Sequence, residues 1–119
     1  MKYEFGINSI SFKRINVKIV VSYWGHTPKR ITKIVIGDTY EYQPINPSAT
    51  RNRGRQGTLL EYDNDQYRTD LSKNATIKWL DTKRSSQVDI GGFIHIDDVY
   101  KTDLQRANEA QEYILSRLL

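Results

Sequence analysis

The chain has 119 residues, which suits one domain with a single modest core, because two separate domains would each be too small to stand alone. Hydrophobic residues make up 38% and charged residues 27%, and the apolar ones recur in ordered patterns, so a folded chain is expected and the disordered class is excluded. The formal charge is +4 and there is no cysteine, which excludes disulfides, thiolate nucleophiles and finger-type zinc sites.

The elements follow in chain order. Tyr3, Phe5 and Ile7 alternate, and Ile10 with Phe12 repeat the alternation on the other parity, so a turn or bulge is expected near Asn8-Ser9. Ile15, Val17, Ile19, Val21 and Tyr23 then form the apolar face of a half-buried strand. Gly25 to Pro28 reads as a turn, and Ile31 to Ile36 and Thr39 to Gln43 read as a hairpin about Gly37-Asp38.

Pro44 and Pro47 stop that ladder, so residues 44 to 55 are expected to form an exposed loop. Strands are predicted at Gln56 to Tyr62, Ala75 to Leu80, Gln87 to Ile90 and Phe93 to Ile96, with a polar connection from Asp63 to Asn74 and a turn from Asp81 to Ser86. The period changes after Ile96. Thr102 and Gln105 have capping-box spacing, and Leu104, Ala107, Ala110, Ile114 and Leu118 form a helical stripe with Leu115 beside it. A C-terminal helix is therefore predicted from residue 102 or 103, with Asp97 to Lys101 either its extra first turn or a connection.

About seven short strands in about 95 residues point to a small barrel or sandwich. Within it, the order Thr39-Tyr40-Glu41-Tyr42, Arg53-Gly54-Arg55-Gln56-Gly57-Thr58-Leu59-Leu60-Glu61-Tyr62, Thr76-Ile77-Lys78-Trp79-Leu80-Asp81 and Gln87-Val88-Asp89-Ile90-Gly91-Gly92-Phe93 resembles the SH3-like barrels of the KOW and Tudor type. Gly-x-x-Gly before an apolar strand is similar to the KOW turn, and Lys78-Trp79-Leu80-Asp81 is similar to a Tudor strand. The resemblance covers residues 38 to 94 and implies a binding module for RNA, DNA, modified peptides or protein surfaces. The expected fold is mainly β in a single domain over 1 to 119. It comprises N-terminal strands in 1 to 37, an SH3-like barrel core in 38 to 96 and one C-terminal α-helix in 102 to 119.

The charge is unevenly spread: residues 1 to 60 carry ten Lys/Arg against three acids, and residues 61 to 119 carry eight against eleven. The basic field, including Lys13 and Arg14, suits either a polyanionic partner or a solvated face. Arg51, Arg53 and Arg55 alternate with small residues, so guanidinium forks and the Gly54 and Gly57 amides could meet phosphate together; alternatively the arginines pair with Glu61 or Asp63. Lys29, Arg30 and Lys33 would extend the positive surface, Lys83 and Arg84 would border it, and Tyr67 is the candidate stacking ring. Most other aromatics, including Tyr23, Trp24, Tyr40, Tyr42, Tyr62 and Trp79, are expected in the core.

Asp63-Asn64-Asp65 is not a calcium loop, since Arg68 stands where glycine is required. His26 and His95 do not assemble a metal site with nearby acids, and no nucleophile elbow is present, so no enzymatic activity, metal or cofactor is expected. No signal peptide opens the sequence and no apolar run approaches the roughly 18 residues of a membrane span, so a cytoplasmic protein without membrane contact is expected. The functional expectation is non-enzymatic binding of nucleic acid, RNA or DNA, through phosphates and with weak sequence preference. The alternative is a protein-interaction module or small regulatory or inhibitor protein that meets an acidic surface, with the helix docking on a partner or a second copy.

Overall fold

A computed structural model describes residues 17–63 and 73–118, and within them seven strands in two antiparallel sheets precede one C-terminal helix. The expectations for Tyr3 to Ile15, for Tyr67 and for the acids after Asp63 lie outside these residues, apart from Lys73 and Asn74 at the end of that connection.

The smaller sheet is a hairpin of β1 (Lys18–Trp24) and β2 (Thr27–Ile34). Its turn is narrower than the sequence suggested: Trp24 already pairs with Thr27, so only Gly25-His26 turns. Pro28 lies across from Tyr23, where the register slips, a place in a ladder where a missing N–H is tolerated.

The buried face of β1 is the opposite of the one the alternation predicted. Val17, Ile19 and Tyr23 are 47%, 37% and 49% exposed, while Val20 packs against the core and Ser22 is buried. The larger sheet supplies the reason. Ser22 Oγ donates to the Gly91 carbonyl (2.9 Å), Thr32 Oγ1 to the Phe93 carbonyl (2.9 Å), and Arg30 Nη1 to the carbonyls of Gln43 (2.8 Å) and Gly91 (3.4 Å). Buried carbonyls without a strand neighbour must find donors, and polar side chains on the hairpin provide them.

The expected hairpin about Gly37-Asp38 does not form. β2 pairs with β1, whereas β3 (Thr39–Tyr42) pairs with β4 (Gln56–Tyr62) and β7 (Phe93–His95). Val35 to Asp38 is instead a tight turn closed by the Asp38 N–H donating to the Val35 carbonyl at 3.2 Å, with Gly37 at φ 96°, where a side chain would be strained. Gly37 N–H then donates to the Leu59 carbonyl and Leu59 N–H to the Asp38 carbonyl, at 2.8 and 3.0 Å. The turn thus hands the chain from one sheet to the other.

The larger sheet has the order β6-β5-β4-β3-β7, with β5 at Ala75–Trp79 and β6 at Ser85–Val88. Among the described residues it does not close into a barrel, since β6 and β7 are its two edges. β6 lies earlier than predicted because Asp89 caps a 3-10 turn at Ile90–Gly92, its carboxylate accepting from the Gly91 N–H. β7 ends at His95 because the His95 ring accepts from the Asp97 N–H and starts a second 3-10 turn, Ile96–Asp98. Residues 97 to 101 are therefore a connection that opens with this 3-10 turn, and not an extra first turn of the C-terminal helix.

Ile34, Tyr40, Leu59, Ile77, Trp79 and Phe93 are fully buried and form the centre of the core. Gly57 belongs to this packing: a Cβ there would lie 2.6 Å from Ile77 Cγ1 and 2.7 Å from the Lys78 carbonyl oxygen. Tyr23 and Trp24, expected inside, are about half exposed.

α1 (Asp103–Leu118) begins where the capping box placed it. Thr102 Oγ1 accepts from the Gln105 N–H (3.1 Å), and the Gln105 side chain accepts from the Thr102 N–H (2.8 Å). The helix packs on β2, with Arg106 and Ala110 buried. Its docking face is rotated from the predicted stripe: Ala110 is fully covered, but Leu104, Leu115 and Leu118 remain 71%, 61% and 77% exposed.

Tyr40 joins the two sheets. Its ring stacks on Phe93 with centroids 5.2 Å apart, while its hydroxyl donates to the Lys33 carbonyl and accepts from the Val35 N–H, both at 2.8 Å. Burial pushes this hydroxyl up to about 12, so it stays protonated and able to donate. Tyr40→Phe leaves one buried donor and one acceptor without a partner and is expected to lower unfolding free energy by about 1–3 kcal/mol, measured by urea denaturation.

Candidate nucleic-acid interface

The loop after β3 uses most of its own cationic chemistry internally. Arg53 donates from Nε to the Ala49 carbonyl (3.0 Å), from Nη1 to Gln43 Oε1 (3.2 Å), and from Nη2 to the carbonyls of Pro44 and Asn46 (2.9 Å each). A loop broken by two prolines has carbonyls without ladder partners, and Arg53 gathers them. Gly54 N–H donates to the Tyr42 carbonyl at 2.8 Å. Gly57 is buried in β4, so neither glycine amide is offered to an outside anion.

Arg55 is also committed. Its Nε and Nη2 meet the two carboxylate oxygens of Asp81 at 3.1 and 2.8 Å, and Nη1 donates to Asn52 Oδ1 at 2.6 Å. The guanidinium carbon lies 4.4 Å from the centre of the Trp79 ring. Its partner is thus Asp81, and not the Glu61 or Asp63 considered from the sequence. This fork-to-fork pair holds the 80–84 turn against the 50–55 loop, aided by the Leu80 N–H donating to the Gln56 carbonyl at 2.9 Å.

The remaining cations divide between two places. Arg51, Lys83 and Arg84 are exposed on the two turns that the Arg55–Asp81 pair joins, with no carboxylate in ion-pair range among the described residues. On β2 the alternation sends Lys29 and Lys33 outward and Arg30 inward. The ten sequence-predicted contact residues therefore do not share one surface.

Arg30 lies instead in a cleft of about 750 Å³ between β2, the segment after β3 and the start of α1, together with Trp24, Lys29, Arg53, Lys101 and Arg106. Lys101 is paired with Asp98 and Glu109 at 3.2 and 2.7 Å, contacts that hold its ammonium above its ordinary value. Arg106 donates from Nη1 to Asp103 Oδ1 (3.0 Å) and from Nη2 to the Val99 carbonyl (3.3 Å). The Nε of Arg30 and the Nε of Arg106 are buried without an acceptor. Burial, then the charges of Arg106 and Arg53 against the opposing pull of Asp103, push Arg30 down from its ordinary value to about 10. It stays cationic at neutral pH.

Sequence reasoning missed Arg106 and assigned Trp24 to the core. The available signal was a charged residue four positions before Ala110, on the stripe that docks the helix. Elsewhere His95 Nε2 lies 2.7 Å from Asp38 Oδ2, and the described residues contain no group of three or more His, Asp or Glu side chains arranged to hold a metal ion. No helix among them is long and apolar enough to cross a membrane. Comparison with protein-family models, curated proteins and solved structures finds no match for this chain.

The Asp81 pair has a testable pH signature. Contact with the Arg55 guanidinium holds the Asp81 carboxyl below its ordinary 3.8, so its contribution is present above that value and lost as pH falls through the lower folded one. Asp81→Asn is expected to lower the urea midpoint by a constant amount above about pH 5, with the gap to the unmodified protein narrowing toward about pH 2.

Proposed function

We propose that the protein is a non-enzymatic nucleic-acid-binding module that holds the phosphate backbone with weak sequence preference. The observation that carries this reading is the rim of Arg51, Lys83 and Arg84: three exposed cations with no ion-pair partner among the described residues, on turns fixed to each other by a bidentate pair. Rigidly held cations on joined loops suit a repeating polyanion, and backbone contacts carry little sequence information. Arg53, Arg55, Gly54 and Gly57 then act as the frame of the interface, while Lys29 and Lys33 extend its field from β2.

A second reading has its own observation. Leu104, Leu115 and Leu118 are exposed on α1, and apolar side chains of this size on one helix favour a protein partner or a second copy. Light scattering separates these two: a monomer at all concentrations leaves only the foreign partner.

Fluorescence anisotropy with single-stranded DNA, duplex DNA and RNA at two salt concentrations tests the main reading. Binding that weakens with salt is expected, and replacing Arg51, Lys83 and Arg84 together by Ala should flatten the duplex slope of log affinity against log salt by about 3. Absence of salt-sensitive binding to all three polymers rejects nucleic acid as the partner. An unchanged slope in the triple variant rejects the rim.

A further inference from the structure

The cleft holds a concentration of donors that the fold leaves unused. Arg30 and Arg106 are 6% and 8% exposed, yet each has a buried Nε without an acceptor, and Arg30 Nη2 makes no hydrogen bond among the described residues. Asp103 and Leu104, in the first turn of the 16-residue helix, line the same cleft, and their amides have no acceptor among the described residues. Only the Thr102 and Gln105 amides are taken up by the capping box. The two Nε atoms are sealed from solvent and out of a ligand's reach, and Arg106 Nη1 and Nη2 already have protein acceptors, which leaves Arg30 Nη2 as the guanidinium donor open to an anion. A helix start that lines the cleft adds partial positive charge near it.

The acids around the cleft do not fill this role. Asp103 is fully exposed and reaches only Nη1 of Arg106, and the two oxygens of Glu41 accept from the side-chain amides of Gln43 and Gln56. The cleft volume, about 750 Å³, falls within the roughly 300–1,000 Å³ usual for small-molecule sites. Trp24 lines the cleft with half its surface exposed, a flat apolar face beside the cationic floor.

We propose that this cleft binds the phosphate monoester of a nucleotide, with Arg30, Arg106 and the Asp103 and Leu104 amides around the phosphate and Trp24 against the base. The choice of a nucleotide rests on the nucleic-acid reading above, while the anion site itself rests on the unbonded Arg30 Nη2 and the cations gathered along the cleft. The ligand is either a free mononucleotide or the phosphorylated 5′ end of a strand. The lowered Arg30 value agrees, because a bound dianion would supply the counter-charge that burial and neighbouring cations withhold.

The test is calorimetric titration of the whole chain with adenosine 5′-monophosphate, adenosine and inorganic phosphate, and with two otherwise identical short single strands that end in a 5′-phosphate or a 5′-hydroxyl. Adenosine monophosphate should bind at least about tenfold more tightly than adenosine, and Arg106→Met, which keeps the apolar stem, should lose that advantage. A phosphate-dependent gain for the strand but not for the mononucleotide assigns the site to strand ends, and the reverse assigns it to free nucleotides. Trp24→Ala, at a half-exposed position, should weaken adenosine monophosphate several-fold while leaving inorganic phosphate unaffected, and it provides the readout if Arg106→Met does not fold. The proposal is overturned if neither phosphorylated ligand gains over its unphosphorylated counterpart, or if a folded Arg106→Met binds like the unmodified protein. In either event, salt-sensitive binding of the hydroxyl-ended strand that depends on Arg51, Lys83 and Arg84 leaves the backbone reading standing.

Discussion

The structure depends on how one sheet edge finds its donors. β7 and the 3-10 turn before it have β3 on one side only, so the carbonyls of Gly91 and Phe93 on the other side have no strand to bond. Ser22, Arg30 and Thr32 reach across from the β1–β2 hairpin and satisfy them. Because unsatisfied carbonyls in a covered interface are costly, polar side chains stand between the sheets at this edge in place of aliphatic ones. Tyr40 serves the same junction from the other direction, bonding the backbone of the segment that leaves β2.

That polar layer has an electrostatic consequence. Serine and threonine complete their bonding there, but Arg30 brings a full charge into a covered site and meets Arg106 of the docked helix. The folded state binds the Arg30 proton less tightly than the unfolded chain does, so the charge costs stability at every pH below about 10, and stability rises as pH increases above that. The same hydrogen-bonding demand that joins the sheets therefore also places Arg30 in the cleft beside α1.

Arginines of one type meet quite different fates in this chain. Arg53 collects four acceptors inside its own loop, Arg55 is gripped by Asp81 over the Trp79 ring, and Arg51, only two residues before Arg53, stays in solvent. Sequence spacing made them look equivalent. Their roles diverge because the two prolines expose carbonyls that Arg53 can reach, and because β4–β5 pairing carries Asp81 to Arg55 from 26 positions away.

Local chemistry was legible wherever it is self-contained. The capping box of Thr102 and Gln105 started α1 in the right place, Gln56–Tyr62 was recognisable as a strand, and Tyr40, Tyr42 and Trp79 were expected among the core rings, where they lie. Partner-dependent features were not. Alternation in β1 is the same whichever side is covered, so only the waiting carbonyls decided that Val20 and Ser22 turn inward while Ile19 and Tyr23 stay exposed. Gly37 announced a turn but could not say whether the next strand would pair with β2 or join another sheet. The sequence determined periods, caps and turns because these are settled within a few residues, whereas the cleft of Arg30 and Arg106 required two elements 76 positions apart to meet, which is a decision of tertiary packing alone.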